Sequence, residues 1–191
     1  VRNELENFMF ANGADSLAFG SIVASGPNTA NPHAVPSDRV IEKGDFVLMD
    51  YGAGYCDYRS DMTRTVVMGE PTQEQLDLYA LVRRTHEECV AAIHPGVEGN
   101  DIYKLSKQII GDAGYGDCFG HSYGHGVGLE IHEYPNMNMR NESPLPAVAV
   151  CSAEPGIYLP GKFGVRIEDV AVLRADGCEN LTKLPKELLI L

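Results

Sequence analysis

Acidic residues stand inside or directly after the most apolar, strand-forming stretches of this sequence, and a chain that buries those stretches must supply cations for them. Asp50 lies near the end of the run 45–51, Glu154 follows the apolar run 148–153, and Glu168 stands within Val165-Arg166-Ile167-Glu168-Asp169-Val170. An isolated carboxylate in such surroundings loses several kcal/mol even after relaxation, so it takes a cationic partner or stays protonated. Arg166 offers a plain salt bridge to Glu168 or Asp169, which leaves Asp50, Asp61 and Glu154 without a partner. Divalent cations resolve all of them together. With His125, the set Asp50, Asp61, Glu154 and Glu168 gives four carboxylates and one imidazole, a donor set suited to two hard or borderline cations in one site.

Local spacing supports convergence without requiring it. Asp50 and Asp61 flank Gly52 and Gly54, which allow a turn between two antiparallel strands and bring both carboxylates to one face; the alternative is a surface hairpin with two solvated aspartates. His125 sits in Gly124-His125-Gly126, where flanking glycines let backbone and ligand approach closely. His121 and His132 stand nearby, so three of the six histidines fall in one glycine-rich stretch, a concentration that favours a site over a lone structural histidine. Other hydrolytic signatures are missing. There is no G-x-S-x-G, no phosphate-binding loop of the Walker type, and His132-Glu133 continues as Tyr-Pro-Asn rather than as H-E-x-x-H.

The 191 residues fit one domain with a substantial core. Residues 4–10 read as the end of a helix stopped by Gly13, so the chain reads as a fragment trimmed at its N-terminus. Residues 17–25 and 45–51 read as strands, and 57–68 as a further pair of short strands. The clearest helix spans 72–93, with Thr72 and Gln75 as a capping box and Leu76, Tyr79, Ala80, Val82, Val90 and Ile93 as its apolar stripe. A second helix covers 100–112 with Ile102, Leu105, Ile109 and Ile110 inward. Residues 116–134 are not helical by pattern, 148–153 and 167–173 read as strands, and 181–191 as a closing segment. Strand runs with segregated helices argue an α+β fold.

Composition removes several function classes. A formal net charge of −12 repels nucleic acid and anionic membranes, so neither is expected as a partner. No apolar run approaches the roughly 20 residues of a membrane helix, and no signal peptide is visible. The five cysteines are scattered, with no C-x-x-C pair, and read as reduced structural thiols of a cytoplasmic protein.

The joint order of Asn31-Pro32-His33, Asp50-Tyr51-Gly52, Ser60-Asp61-Met62-Thr63-Arg64-Thr65, Gly124-His125-Gly126 with Gly128-Leu129-Glu130, His132-Glu133 and Glu154-Pro155-Gly156 resembles the pita-bread metallopeptidases, the family of Xaa-Pro aminopeptidases, prolidases and methionine aminopeptidases. Glu154-Pro155-Gly156-Ile157-Tyr158 followed by Gly164-Val165-Arg166-Ile167-Glu168-Asp169 is similar to the proline-specific branch. The resemblance implies a pita-bread (creatinase/aminopeptidase) catalytic domain over 1–191, a curved antiparallel sheet covered by helices, lacking a first helix and an N-terminal domain. It further implies that Asp50, Asp61 and Glu168 bind one metal and Asp61, His125, Glu154 and Glu168 the other. Asp61 and Glu168 would bridge, Mn2+ or Co2+ is the expected ion and Zn2+ the alternative.

By the same resemblance, a bridging hydroxide cleaves the Xaa-Pro bond of a proline-containing peptide, at its N-terminus or in a dipeptide. Glu154 moves the proton to the proline nitrogen, and His132 stabilises the oxyanion or binds the substrate carbonyl. His33, His121 and Arg166 line and orient the pocket, and the full-length protein is expected to be a homodimer. Two positions depart from the family pattern: Ser152 stands where threonine is usual, and Asn136 where some prolidases carry an arginine for the substrate carboxylate, which argues against a strict dipeptidase. Two rival readings, an inactive pita-bread module that binds peptides or proteins and a metal-free creatinase-like carbon–nitrogen hydrolase, are disfavoured because all five ligands are intact.

Overall fold

Antiparallel pairing organises every strand ladder of the chain. The computed structural model describes residues 1–191. It begins with helix α1 (Arg2–Ala11), then β1 (Ser16–Leu17), β2 (Ile22–Ser25), β3 (Phe46–Tyr51), β4 (Ala53–Tyr55), β5 (Tyr58–Arg59) and β6 (Met62–Val67). Helices α2 (Gln73–Ala92) and α3 (Gly99–Asp112) follow, and then β7 (Gly124–Gly126), β8 (Glu133–Met137), β9 (Val150–Ala153), β10 (Gly156–Leu159), β11 (Phe163–Arg166), β12 (Asp169–Arg174) and β13 (Gly177–Asn180). The sheets run β2-β3-β6, β1-β4-β5 and β13-β12-β9-β7-β8, with β10-β11 as a hairpin.

Two registers prepare the site. In the first, Asp50 pairs with Thr63 and Tyr51 with Met62. Residues two apart on a strand share a face, so Asp50, Thr63 and Asp61 project together, while Phe46 and Val67 project from the other end of that same face into the core. In the second, β9–β12 and β10–β11 keep one register, Ala153 with Asp169 and Gly156 with Arg166. The interruption between them holds Glu154 and Glu168 opposite one another. Breaks of this kind re-aim side chains next to active sites.

The core joins Leu78, Val82 and Cys89 of α2 and Ile102, Ile109 and Ile110 of α3 to Phe46, Tyr123, Met137, Ile157, Val165 and Ile167. Helix α2 carries the expected capping box, with Thr72 Oγ1 accepting from the Gln75 N–H and Gln75 Oε1 accepting from the Thr72 N–H. Its apolar stripe differs from the sequence reading. Leu76 and Ala80 face solvent, and the inner face is Gln75, Leu78, Tyr79, Val82, Thr85, His86 and Cys89. Gln75 explains the phase: its Nε2 also donates to the Gly44 carbonyl at 2.8 Å, which turns that polar side chain inward and Leu76 outward.

Other boundaries moved as well. The strand expected over 17–25 is split into β1 and β2, and that expected over 167–173 starts at Asp169, because the Glu168 N–H leaves the ladder to donate to the Thr63 carbonyl at 3.1 Å. The closing segment 181–191 forms no strand of its own, but Leu189 and Leu191 hydrogen-bond Val67 on the edge of β6. No helix is long and apolar enough to cross a membrane.

His86 is fully enclosed between α2 and the sheet, with Nε2 3.4 Å from Asp169 Oδ2 and neither ring nitrogen in a well-aligned hydrogen bond. Burial lowers its pKa to about 4, against the opposing pull of Asp169. The unfolded chain therefore binds a proton between pH 6.5 and 4 that the native state does not, so stability falls as pH drops through that window. We expect the urea midpoint to decline below pH 6.5 with a contribution of up to about 1.4 kcal/mol per pH unit from this group. Replacement by His86→Leu should flatten that slope.

Candidate metal centre

All nine side chains singled out from the sequence line one cavity of about 300 Å3: Asp50, Asp61, His125, Glu154 and Glu168, with His33, His121, His132 and Arg166. Asp61, His125 and Glu168 each offer a ligand atom, and these atoms lie within 4.8 Å of one another. His125 Nε2 is 3.2 Å from Glu154 Oε1 and 3.7 Å from Asp61 Oδ2. Asp50 stands on the same wall but is turned towards Arg166, whose Nη2 donates to its Oδ2.

His125 is aimed by its backbone. A Cβ on Gly124 would meet the Ser152 carbonyl oxygen at 2.1 Å and one on Gly126 the Tyr134 carbonyl oxygen at 2.5 Å, so only glycine lets β7 lie this close to both neighbours. The His125 N–H donates to Ser152 Oγ at 3.0 Å, and that hydroxyl donates to Glu154 Oε1 at 3.2 Å. Ser152 thus couples the imidazole strand to the carboxylate. His125 Nδ1 lies 3.1 Å from the Gly126 carbonyl oxygen, an arrangement that holds the proton on Nδ1 and directs Nε2 into the cavity.

Glu168 and Asp50 are oriented through Thr63 and Arg166. The Thr63 hydroxyl donates to Glu168 Oε2 at 2.6 Å and accepts from Arg166 Nε at 3.0 Å. Arg166 Nη1 donates to Tyr158 Oη at 2.8 Å and to the Pro32 carbonyl at 3.3 Å. Tyr158 in turn donates to His121 Nε2, 2.8 Å away, while His121 Nδ1 donates to the Ser122 carbonyl. The guanidinium is therefore engaged by the protein itself, holding Asp50 and the pocket wall. His132 is exposed at the mouth, its ring centroid 4.2 Å from that of His125, and His33 is exposed on the loop that follows β2.

The electrostatics test whether cations fit. Burial, then the charges of Asp50 and Glu154, push Asp61 up to about 8. Burial and then Asp61 hold Glu168 well above the carboxylate range. Asp50 is also raised, chiefly by burial, despite Arg166. Burial works against Glu154 as well, but its hydrogen bond with His125 and the charges of His121 and His125 hold it below the usual value; His125 is raised correspondingly. Asp50 Oδ1 is buried with no hydrogen-bond partner. Mutually repelling carboxylates, one with an orphaned oxygen, beside an imidazole nitrogen facing the same space, fit divalent cations.

Sequence reasoning missed Thr63 and Tyr158. The signal for Thr63 was present, since it lies two residues from Asp61 on a strand; Tyr158 stood in a quoted motif, but its hydroxyl reaches the site only through the β10–β11 hairpin, which was not foreseen. The cysteines take no part. All five are free, and burial raises Cys89 and Cys151 to about 12, far from thiolate reactivity.

Residues 1–175 match metallopeptidase family M24. The chain is 47% identical over 191 residues to an uncharacterized peptidase, YqhT, of Bacillus subtilis and 45% identical over 189 residues to an Xaa-Pro dipeptidase of Pyrococcus furiosus, covering 54% of each. The solved structure of an X-Pro aminopeptidase from Thermotoga maritima superposes with a TM-score of 0.98 at 45% identity, over 100% of this chain and 54% of that one. The chain belongs to metallopeptidase family M24 and has its pita-bread fold. It spans about half the length of the curated relatives it matches.

The charge crowding gives a test with opposite signs. Asp61→Asn should raise the thermal stability of chelator-treated protein, by on the order of 1–3 kcal/mol, because it removes one of the repelling buried acids. The same variant should lose the stabilisation that added Mn2+ gives the parent. Differential scanning fluorimetry with and without Mn2+ reads both.

Proposed function

We propose that this chain is the catalytic domain of a metal-dependent peptidase that hydrolyses the Xaa-Pro bond, at a peptide N-terminus or in a dipeptide. The observation that carries the reading is the convergence of Asp61, His125 and Glu168 within 4.8 Å, with Asp50 and Glu154 on the same cavity wall. Two divalent ions are the proposed cofactor, Mn2+ or Co2+ first and Zn2+ second, held by Asp50, Asp61 and Glu168 on one side and Asp61, His125, Glu154 and Glu168 on the other. When bound, such ions polarise a carbonyl and bring the pKa of a water near neutrality.

The protein's own groups divide the remaining work. Glu154, ionised at neutral pH, takes the proton of the attacking water on Oε1 or Oε2 and hands it to the proline nitrogen as the bond breaks. His132, at the mouth, donates to the oxygen of the carbonyl under attack. Arg166, Tyr158 and His121 form a hydrogen-bonded chain that keeps the opposite wall in place, and His33 closes it from the loop. Phe19, Ile22 and Ile131 supply the apolar surface against which substrate side chains exclude water. The free thiols suit a cytoplasmic enzyme, and the family resemblance suggests a homodimer as the working form.

The test is turnover by the chain, alone and within the full-length protein, of an Xaa-Pro dipeptide and of a longer peptide beginning Xaa-Pro. Added Mn2+ should support proline release and a chelator should abolish it. Glu154→Gln should lower kcat by about 10²–10⁴ while leaving KM nearly unchanged. Mn2+ retention without cleavage of either substrate by the full-length protein would sink the enzymatic reading and leave a peptide-binding module.

A further inference from the structure

Asp61 and Glu168, the two carboxylates assigned to both cations, come from distant parts of the chain, and no strand ladder joins them. Asp61 precedes β6; Glu168 lies in the interruption between β11 and β12. Besides the Glu168 N–H, which donates to the Thr63 carbonyl, and the contacts of Thr65 with Arg166, one further side chain reaches both segments behind the cavity. Arg64 alternates with Thr63 and so points away from the cavity, where it is buried. Its Nη1 donates to the Thr63 carbonyl at 2.9 Å and to the carbonyl of Glu168 itself at 2.7 Å. Nη2 donates to Asp169 Oδ1 at 2.6 Å and to the Leu184 carbonyl at 2.8 Å, and Nε to the Pro185 carbonyl at 3.1 Å. A guanidinium has five N–H donors in a fixed plane, and here each has an acceptor.

Asp169, the immediate neighbour of Glu168, is fully buried and is fixed in turn by Lys186 Nζ at 2.8 Å and by Asn180 Nδ2. The backbone on either side of the cation ligands is thus held by one planar fork. On the cavity side the Thr63 hydroxyl grips Glu168 Oε2, so the ligand is held from both faces of β6.

We propose that the Arg64–Asp169 pair is a positioning device that sets the separation of Asp61 and Glu168, and with it the ability of the site to hold two cations at once. This rests on the two-cation reading above. A bond that served only to close the fold would need Asp169 and the C-terminal carbonyls; the two donations to Thr63 and Glu168 act on the ligand-bearing segments directly. Lysine keeps the charge at position 64 but has no fork to span those carbonyls.

Mn2+ alone is the probe. Arg64→Lys and Asp169→Asn are compared with the parent and with Ile93→Ala, a core change that lowers stability away from the cavity. Chelator competition measures Mn2+ retention, and low-temperature electron paramagnetic resonance separates exchange-coupled pairs from single ions. Both clamp variants should bind Mn2+ about 10–100-fold more weakly, the size of effect that ligand-orienting partners have, and replace the coupled spectrum by a six-line single-ion spectrum. Ile93→Ala should keep parental affinity and coupling.

Parental affinity and coupling in folded Arg64→Lys and Asp169→Asn would overturn the clamp while leaving the two-cation reading intact. A parent that retains no Mn2+ would overturn both. If neither variant folds, Lys186→Met decides, since Lys186 is partly exposed and holds Asp169 from outside: Mn2+ retention weakened at least threefold supports the clamp, and unchanged retention overturns it.

Discussion

Repulsion among Asp50, Asp61, Glu154 and Glu168 is the constraint around which this structure is arranged. Like charges that close would part if their strands were free to slide, and water would fill the gap. They cannot part because Asp50 and Asp61 project from one face of the β3–β6 pair, while Glu154 and Glu168 sit opposite each other in a break of a continuous ladder. The nearby cationic groups offset part of the repulsion. Arg166 offsets part of the burial cost of Asp50, which stays raised, and His125 pairs with Glu154, while Asp61 and Glu168 have no such close partner and are driven strongly upward. These two are the ligands assigned to both cations. The electrostatic deficit is therefore greatest where a dication would sit, and binding there would relieve it.

The apolar core and this charged wall are one surface seen at two ends. Along the face shared by β3 and β6, Phe46 and Val67 enter the core while Asp50 and Asp61 enter the cavity. Phe46 packs edge-on to Phe163, which ties β3 to the hairpin that carries Arg166 and Tyr158. Core packing thus fixes the spacing of the charged groups, and a loosened core would be felt first as a cavity that cannot hold its carboxylates together. Deep burial makes the same groups costly without cations and strongly held with them.

How much of this was legible depends on the kind of interaction. The convergence of Asp50, Asp61, His125, Glu154 and Glu168 on one cavity could be read because a carboxylate in an apolar strand is an anomaly visible in one dimension, as at Glu154 and Glu168. The Thr72–Gln75 cap could be read because its chemistry is local. The phase of α2 could not, since Gln75 turns inward to reach Gly44, thirty-one positions away. The β10–β11 hairpin escaped because its residues form functional motifs whose strand character shows only when paired. Arg64 was quoted within a motif, yet its five acceptors come from three separate stretches of chain, and nothing in a linear pattern announces such a hub.

The side chains of the cavity also divide by the rigidity of their supports. Asp50, Asp61, His125, Glu154 and Glu168 stand on strands or in tight breaks between them, each held by at least one backbone or side-chain contact to a neighbouring segment. His33 and His132 stand on exposed connections, and their rings meet solvent. Groups that hold ions need fixed separations, because a coordination shell tolerates little error; groups that meet a peptide must accept chains that differ in shape. His121 lies between these limits, on a connection but anchored through Tyr158 to Arg166 and so to Asp50. A change in how Asp50 is held would reach His121 through three hydrogen bonds, so the carboxylate cluster and the His121 wall of the cavity are mechanically one system.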